Sequence, residues 1–268
     1  MSRIARRFEE LRQRGELGLV AYITAGDPDL AATAEFILAL EEAGVDVLEL
    51  GVPFSDPLAD GPIIQRASER ALKSGTTLAR ILELVARSRR TNRVPIVLFS
   101  YLNPVLRYGF TRFAADARQA GADGVLITDL SVEESAAFLE EMRAAELDTV
   151  FLAAPTSTEE RLRRICEVSR GFVYAVSRTG VTGTREALSG QLLPLLARIR
   201  AVSALPVAAG FGISKPEHIE ALRGHADAAV VGSALVRSIE EHGSAARLAE
   251  LARLLKHGRP RVETAPRP

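Results

Sequence analysis

The run Leu48–Gln65, LELGVPFSDPLADGPIIQ, gathers more groups capable of chemistry than any other stretch of the chain. Glu49 closes an apolar, strand-like run two residues before Gly51, and alternation along a strand puts it on the same face as Val47. A carboxyl at such an end can serve as a general acid or base. The plainer reading is an outward-facing carboxylate paired with a surface arginine. The loop Pro53–Pro62 adds Asp56 and Asp60 among three prolines, which narrow its conformations and help hold a side chain in place. Ser-Asp-Pro and Asp-Gly-Pro are also turn sequences, so each aspartate has a purely structural reading. Spacing alone does not say which of the two is catalytic.

Three later loops carry glycine: SRTGVTG (Ser177–Gly183), GFGIS (Gly210–Ser214) and VGSAL (Val231–Leu235). Glycine lets backbone N–H groups approach an oxyanion, and a following helix N-terminus adds its dipole. The first of these loops, roughly Ser177–Gln191, has the length and composition of a lid, with Thr182 and Gly183 able to touch a ligand on closure. A merely flexible connection would read the same.

What is missing narrows the chemistry. The lysines are Lys73, Lys215 and Lys256, none inside a strand-like run, which argues against a Schiff base. The histidines, His218, His225, His242 and His257, come late and away from strand ends, so no converging zinc set is in view. Cys166 is alone, which excludes an internal disulfide and suits a reducing compartment. Lys+Arg and Asp+Glu both number 34, and no basic block marks a nucleic-acid footprint. The opening MSRIARRFEELRQRGELG is charged and helix-patterned rather than a signal peptide, and no apolar run reaches a membrane span, so a cytoplasmic protein is expected. Carboxylates and a phosphate site, without lysine, zinc or an evident cofactor, leave proton-transfer chemistry on a substrate that acts as its own electron sink.

These residues need a scaffold. Short apolar runs alternate with longer amphipathic ones: Gly18–Thr24, Val45–Leu50, Pro95–Tyr101, Gly124–Thr128, Thr149–Ala153, Phe172–Val176, Pro206–Ala209 and Ala228–Val231 read as eight strands. Ser131 with Glu134 and Ser157 with Glu160 read as capping boxes, and Ser214 as a cap for Lys215–Arg223. Continuous apolar strands alternating with helices imply a parallel sheet covered by helices. Eight at regular spacing favour closure over an open doubly wound sheet. The expected fold is α/β, a single (β/α)8 TIM barrel over residues 1–257, with extra helices at the N-terminus and after strands 2 and 8; residues 258–268 read as a disordered tail. In such a barrel catalytic groups lie at the C-terminal strand ends, and phosphate is commonly bound after strands 7 and 8. Gly212, Gly232 and Ser233 fall there.

With the elements placed, Leu48–Gln65 resembles the signature of the tryptophan synthase α subunit family. YITAGDPD (Tyr22–Asp29), YLNPVLRYG (Tyr101–Gly109), DGVLITDL (Asp123–Leu130), SRTGVTG, GFGIS and VGSALV extend the resemblance in order over nearly the whole chain. It implies a lyase that cleaves indole-3-glycerol phosphate to indole and glyceraldehyde 3-phosphate in tryptophan biosynthesis. Glu49 would be the proton shuttle, and Asp60 would hold the indole N–H. The phosphate would fall to Gly183, Gly212, Gly232 and Ser233, and the indole to Tyr22, Phe99, Tyr174, Thr182 and Phe211. An α2β2 partnership is implied, with Pro53, Asp56 and Asn103 at the contact and pyridoxal phosphate confined to the β subunit, so this chain needs no cofactor. Two departures are visible: Ser131 stands where the family commonly has proline, and Tyr22 where phenylalanine is common. The alternatives are a stand-alone indole-releasing lyase and a catalytically dead phosphate-binding regulatory barrel.

Overall fold

The computed structural model of the chain describes residues 1–176, 190–210 and 212–258. Strand β1 (Gly18–Thr24) pairs in parallel with β2 (Val47–Gly51), which continues to β3 (Ile96–Ser100), β4 (Gly124–Ile127) and β5 (Asp148–Val150). On its other side β1 pairs with β9 (Ala228–Val231), then β8 (Val207–Gly210), β7 (Val173–Val176) and β6 (Leu152–Ala153). β5 and β6 are consecutive pieces of one stretch, which leaves β4 for β7 at Phe151 and so closes the barrel. The expected fifth strand is therefore present but divided between two neighbours.

Strand alternation sorts the side chains into two cores. Val20, Val47, Val97, Leu126, Val150, Phe172, Tyr174, Ala208 and Val230 point inward and cluster inside the barrel. Their chain neighbours, among them Leu19, Leu48, Leu98, Val125, Val173 and Ala209, face outward against the helices. Both faces are apolar because both are covered.

Helix α1 (Arg3–Arg14) plugs the N-terminal end of the barrel. Ile4, Phe8 and Leu11, spaced along one helix face, join the interior cluster, and the Phe8 and Phe172 rings lie 5.5 Å apart. Ser2 caps this helix by accepting from the Ala5 N–H at 3.2 Å, and it donates to Asp148 at 2.5 Å. At the same end Asp123 accepts from Arg89 at 2.6 Å, Arg3 at 2.8 Å and the Ile96 N–H at 2.8 Å.

Helices α2 (Leu30–Glu42), α3 (Pro62–Lys73) and α4 (Leu78–Ser88) follow, so the connection after β2 carries the expected extra helix. β3 leads into a short α5 (Leu102–Tyr108) before α6 (Phe110–Ala120), an addition the sequence pattern did not announce. Helices α7 (Ala136–Ala144), α8 (Glu159–Val168), α9 (Leu192–Val202) and α10 (Pro216–Glu220) then cover the wall. α11 (Ser233–His242) and α12 (Ala245–His257) are the pair expected after the last strand.

Three cap assignments shift. Ser131 Oγ bonds the Glu134 carboxyl at 2.9 Å, yet α7 starts only at Ala136, because residues 132–134 form a turn first. Thr158, not Ser157, caps α8 by accepting from the Arg161 N–H; Ser157 is used in the preceding turn, accepting from the Ala154 N–H. Lys215, not Ser214, precedes α10, and Pro216 supplies the pre-set φ of the first turn without a side-chain cap. Of the tail Gly258–Pro268, residues 259–268 lie outside the described residues.

Candidate active site

Register places the candidate acid. Tyr22 on β1 and Val97 on β3 flank Glu49, and all three point into the barrel above Val20 and Val47. Glu49 is 1% exposed, and its Oε1 has no hydrogen-bond partner among the described residues. Leaving water without a replacement partner disfavours the ionised form, and burial alone raises this carboxyl to about pKa 8. The outward-facing alternative for Glu49 is excluded by this placement.

The two loop aspartates are now distinguishable. Asp56 is exposed, and the Ser55 hydroxyl donates to it at 2.5 Å. Asp60 is half-buried, and burial lifts its pKa to about 6 while the nearby Tyr101 hydroxyl pulls the other way. Tyr101 stands at the end of β3. Its oxygen also accepts the Ala59 N–H at 3.0 Å, and its ring packs on Phe54 at 5.3 Å. Gln65, one turn into α3, donates to the Asp60 carbonyl at 2.9 Å. Tyr101 and Gln65 were visible only as members of motifs. Their loop contacts join residues 42 and 5 positions apart, of which only the local one has a readable sequence signal.

The aromatic wall is largely as expected. Tyr22 meets Phe99 edge-on, with ring centroids 5.1 Å apart, and packs with Ala67 of α3 and Val236 of α11. Tyr174 rises from β7 on the far side of the barrel. Two glycines make room for the phenols: a Cβ on Gly51 would lie 2.3 Å from the Tyr22 hydroxyl oxygen, and one on Gly210 would lie 2.5 Å from that of Tyr174. Both phenols are driven well above their usual pKa by burial, with the nearby carboxyls adding to the effect. Thr182, Gly183 and Phe211, and with them the candidate lid, lie outside the described residues.

On the adjoining side Gly232 follows β9 and Ser233 begins α11, whose first-turn N–H groups have no intrahelical acceptor. Gly232 lies against the Tyr22 ring, which brings this helix start beside the barrel mouth. Gly212 follows β8 with φ +73°, a backbone suited to glycine. Of the residues expected at a partner contact, Asp56 and Asn103 are exposed and Pro53 is buried. The Leu102 N–H that opens α5 donates to Asp129 at 2.6 Å, fixing Asn103 beside the mouth.

Helices α3 and α11 are joined by ions. Arg70 binds Asp27 through two bonds of 2.7 and 2.8 Å and reaches Glu240 at 2.8 Å; Arg66 binds the same Glu240 at 2.7 and 2.8 Å. One of these helices begins directly after Asp60, and the other begins at Ser233.

A closed parallel barrel with a buried carboxyl, unpaired among the described residues, at one strand end, a second carboxyl in the loop above it and a helix start at the mouth defines an enzyme of the TIM-barrel class. The family model for the tryptophan synthase alpha chain matches residues 8–262. The tryptophan synthase alpha chain of Solibacter usitatus is 54% identical over 262 residues, spanning 96% of this chain and 98% of its own. That of Geobacter sulfurreducens is 52% identical over 245 residues, spanning 91% and 93%. Among solved structures, tryptophan synthase subunit alpha from Legionella pneumophila superposes with a TM-score of 0.89 at 35% identity, covering 96% of this chain and 98% of its own. The tryptophan synthase complex from Pyrococcus furiosus contains a chain with a TM-score of 0.82 at 42% identity, covering 89% and 97%. The chain belongs to the tryptophan synthase alpha chain family.

Proposed function

We infer that this chain is the lyase of the α reaction, cleaving indole-3-glycerol phosphate to indole and glyceraldehyde 3-phosphate, with Glu49 and Asp60 as its proton-transfer pair. The observation that carries the residue assignment is Glu49 itself: buried, without a partner among the described residues, and aimed into the barrel.

The chemistry follows from the two carboxyl environments. Near pH 7 Glu49, raised to about 8, holds its proton, while Asp60, at about 6, is mostly ionised. Glu49 gives its proton to indole C3, and positive charge develops at the ring nitrogen. Asp60 accepts the indole N–H and stabilises that charge, an interaction that strengthens toward the transition state. The Glu49 carboxylate then takes the proton of the glycerol hydroxyl next to the ring. The carbonyl of glyceraldehyde 3-phosphate forms as the carbon–carbon bond breaks, and its electrons return to the ring. The C3 proton stays on the released indole, and Glu49 ends protonated as it began. No cofactor of this chain takes part; pyridoxal phosphate belongs to the β subunit.

Tyr22, Phe99 and Tyr174 would line the indole, with Thr182 and Phe211 completing the pocket. Gly212, Gly232 and Ser233, with Gly183, would hold the phosphate at the start of α11. The assignment of the β subunit as partner, in an α2β2 heterotetramer, is supported by the exposed Asp56 and Asn103 beside the mouth. Leu58, 95% exposed on the same loop as Asp56, offers a further apolar contact. No described helix is long and apolar enough to cross a membrane, and a cytoplasmic location is proposed in keeping with biosynthetic work and a lone cysteine.

The test is indole release from indole-3-glycerol phosphate. Glu49→Gln and Asp60→Asn should each lose on the order of 10²-fold or more in kcat. Near-normal turnover in either variant overturns that residue's role, and no indole from the wild-type chain with or without β subunit overturns the function.

A further inference from the structure

The mechanism asks Glu49 to be neutral at one stage and ionised at the next, and the ionised form is the difficult one. Its surroundings are apolar on most sides: Val47 below it on β2, Val97 on β3, Leu126 on β4, Val150 on β5, Ala208 on β8 and Val230 on β9. Below these, Ile4, Phe8 and Phe172 fill the barrel floor with apolar side chains. The titratable groups that face this space are Tyr22 from β1, Asp60 from the loop after β2, Tyr101 from the end of β3 and Tyr174 from β7. Asp60 is an acceptor when ionised, and Tyr101, whose hydroxyl accepts the Ala59 N–H, lies against the Asp60 loop. That leaves two phenols as donors among the titratable groups of the described residues.

Tyr22 is the better placed of the two. It is the register partner of Glu49 on the adjacent strand, whereas Tyr174 stands across the barrel, separated from β2 by β1, β9 and β8. Its ring is fixed edge-on against Phe99, and its hydroxyl occupies the gap left by the missing side chain of Gly51, two residues beyond Glu49. That hydroxyl has one weak contact, with Thr24 Oγ1 at 3.4 Å, in which either oxygen can donate. When Thr24 donates, the phenol proton is free for another acceptor.

We propose that the Tyr22 hydroxyl donates a hydrogen bond to Glu49 in its ionised form, which makes Tyr22 a positioning residue for the proton shuttle as well as part of the indole wall. The inference rests on the role given to Glu49 above. The sign is fixed: a donor to the carboxylate favours ionisation, so its removal raises the Glu49 pKa and makes proton delivery to indole C3 costlier. Substrate binding, which precedes that step, should change little.

Tyr22→Phe removes only the hydroxyl and installs the residue common at this position in the family, so the barrel should fold. Its kcat should fall about fivefold to tenfold near pH 7 with KM within about twofold. The Glu49 ionisation, followed in the free protein by the infrared band of its protonated carboxyl, should move up by about one pH unit. Glu49→Gln identifies that band by its loss. Unchanged kcat and an unchanged carboxyl titration in Tyr22→Phe overturn the inference, as does a shift produced by Tyr174→Phe and not by Tyr22→Phe. If Glu49→Gln itself stays active, the failure lies instead with the mechanism on which the inference rests.

Discussion

Two carboxyls of similar intrinsic acidity are driven to different values by their surroundings, Glu49 to about 8 and Asp60 to about 6. Glu49 has burial without a partner among the described residues, while Asp60 has burial tempered by Tyr101. Tyr101→Phe should therefore raise the Asp60 pKa further, moving the acidic limb of kcat/KM upward by about half a unit to one unit. An unmoved limb would separate Tyr101 from Asp60 electrostatically. Glu49 also carries a stability signature. Its folded pKa lies above its unfolded value, so its ionisation costs the fold nothing below about pH 4.5 and increasingly more as pH rises toward about 8. Glu49→Gln should match wild type in urea unfolding near the lower bound and exceed it near the upper one; a constant difference across that window would contradict the burial of the charge. At this scale the sequence was half legible. Strand alternation put Glu49 on one face with Val47 but left its outward-facing reading open, and Asp56 and Asp60 were equivalent as turn residues until the Tyr101 contact with this loop, 42 positions from Ala59, set them apart.

The elements convert these residue positions into a site. α3 starts at Pro62, two residues after Asp60, and α11 at Ser233, and Arg70 locks both to the loop after β1 through the buried Asp27 and through Glu240. Arg70→Met would leave Asp27 buried without its charge partner. Because Arg70 is itself partly exposed, a loss of about 2 kcal/mol is expected rather than the larger cost of a fully buried pair. It should appear as a lower urea midpoint together with a raised KM for the phosphorylated substrate, and a stability loss with unchanged KM would deny the staple any part in the site. Glu146 closes α7 with φ +54°, a conformation that favours glycine, and Glu146→Gly should stabilise by about 0.5–1 kcal/mol in urea unfolding. Helix existence was readable from periodicity, but cap residues were not. Ser157 and Thr158 carry the same chemistry one position apart, and the turn before α8 decides which is used. The division of the fifth strand at Phe151 was equally hidden, because local composition does not record a change of pairing partner.

At the scale of the molecule, eight alternating units were enough to read a barrel, since continuous apolar strands need cover on both faces. The charged opening segment read as a helix, while its task of sealing the barrel floor depends on Phe172, far along the chain. Phe8→Ala should cost about 3–4 kcal/mol by opening a cavity there, seen in urea unfolding, with KM little changed because the floor lies away from the mouth. The partner and the indole were legible through the family's motifs and not through pattern, because an exposed loop and an apolar pocket do not name what they bind. The central claim is that a protonated Glu49 and an ionised Asp60 act together in indole release. Its most direct test is kcat/KM for indole-3-glycerol phosphate cleavage measured from about pH 5 to about pH 9. A bell with limbs near 6 and 8 is expected, the lower limb vanishing in Asp60→Asn. A profile flat across that range, or a lower limb that survives in Asp60→Asn, would contradict the pairing.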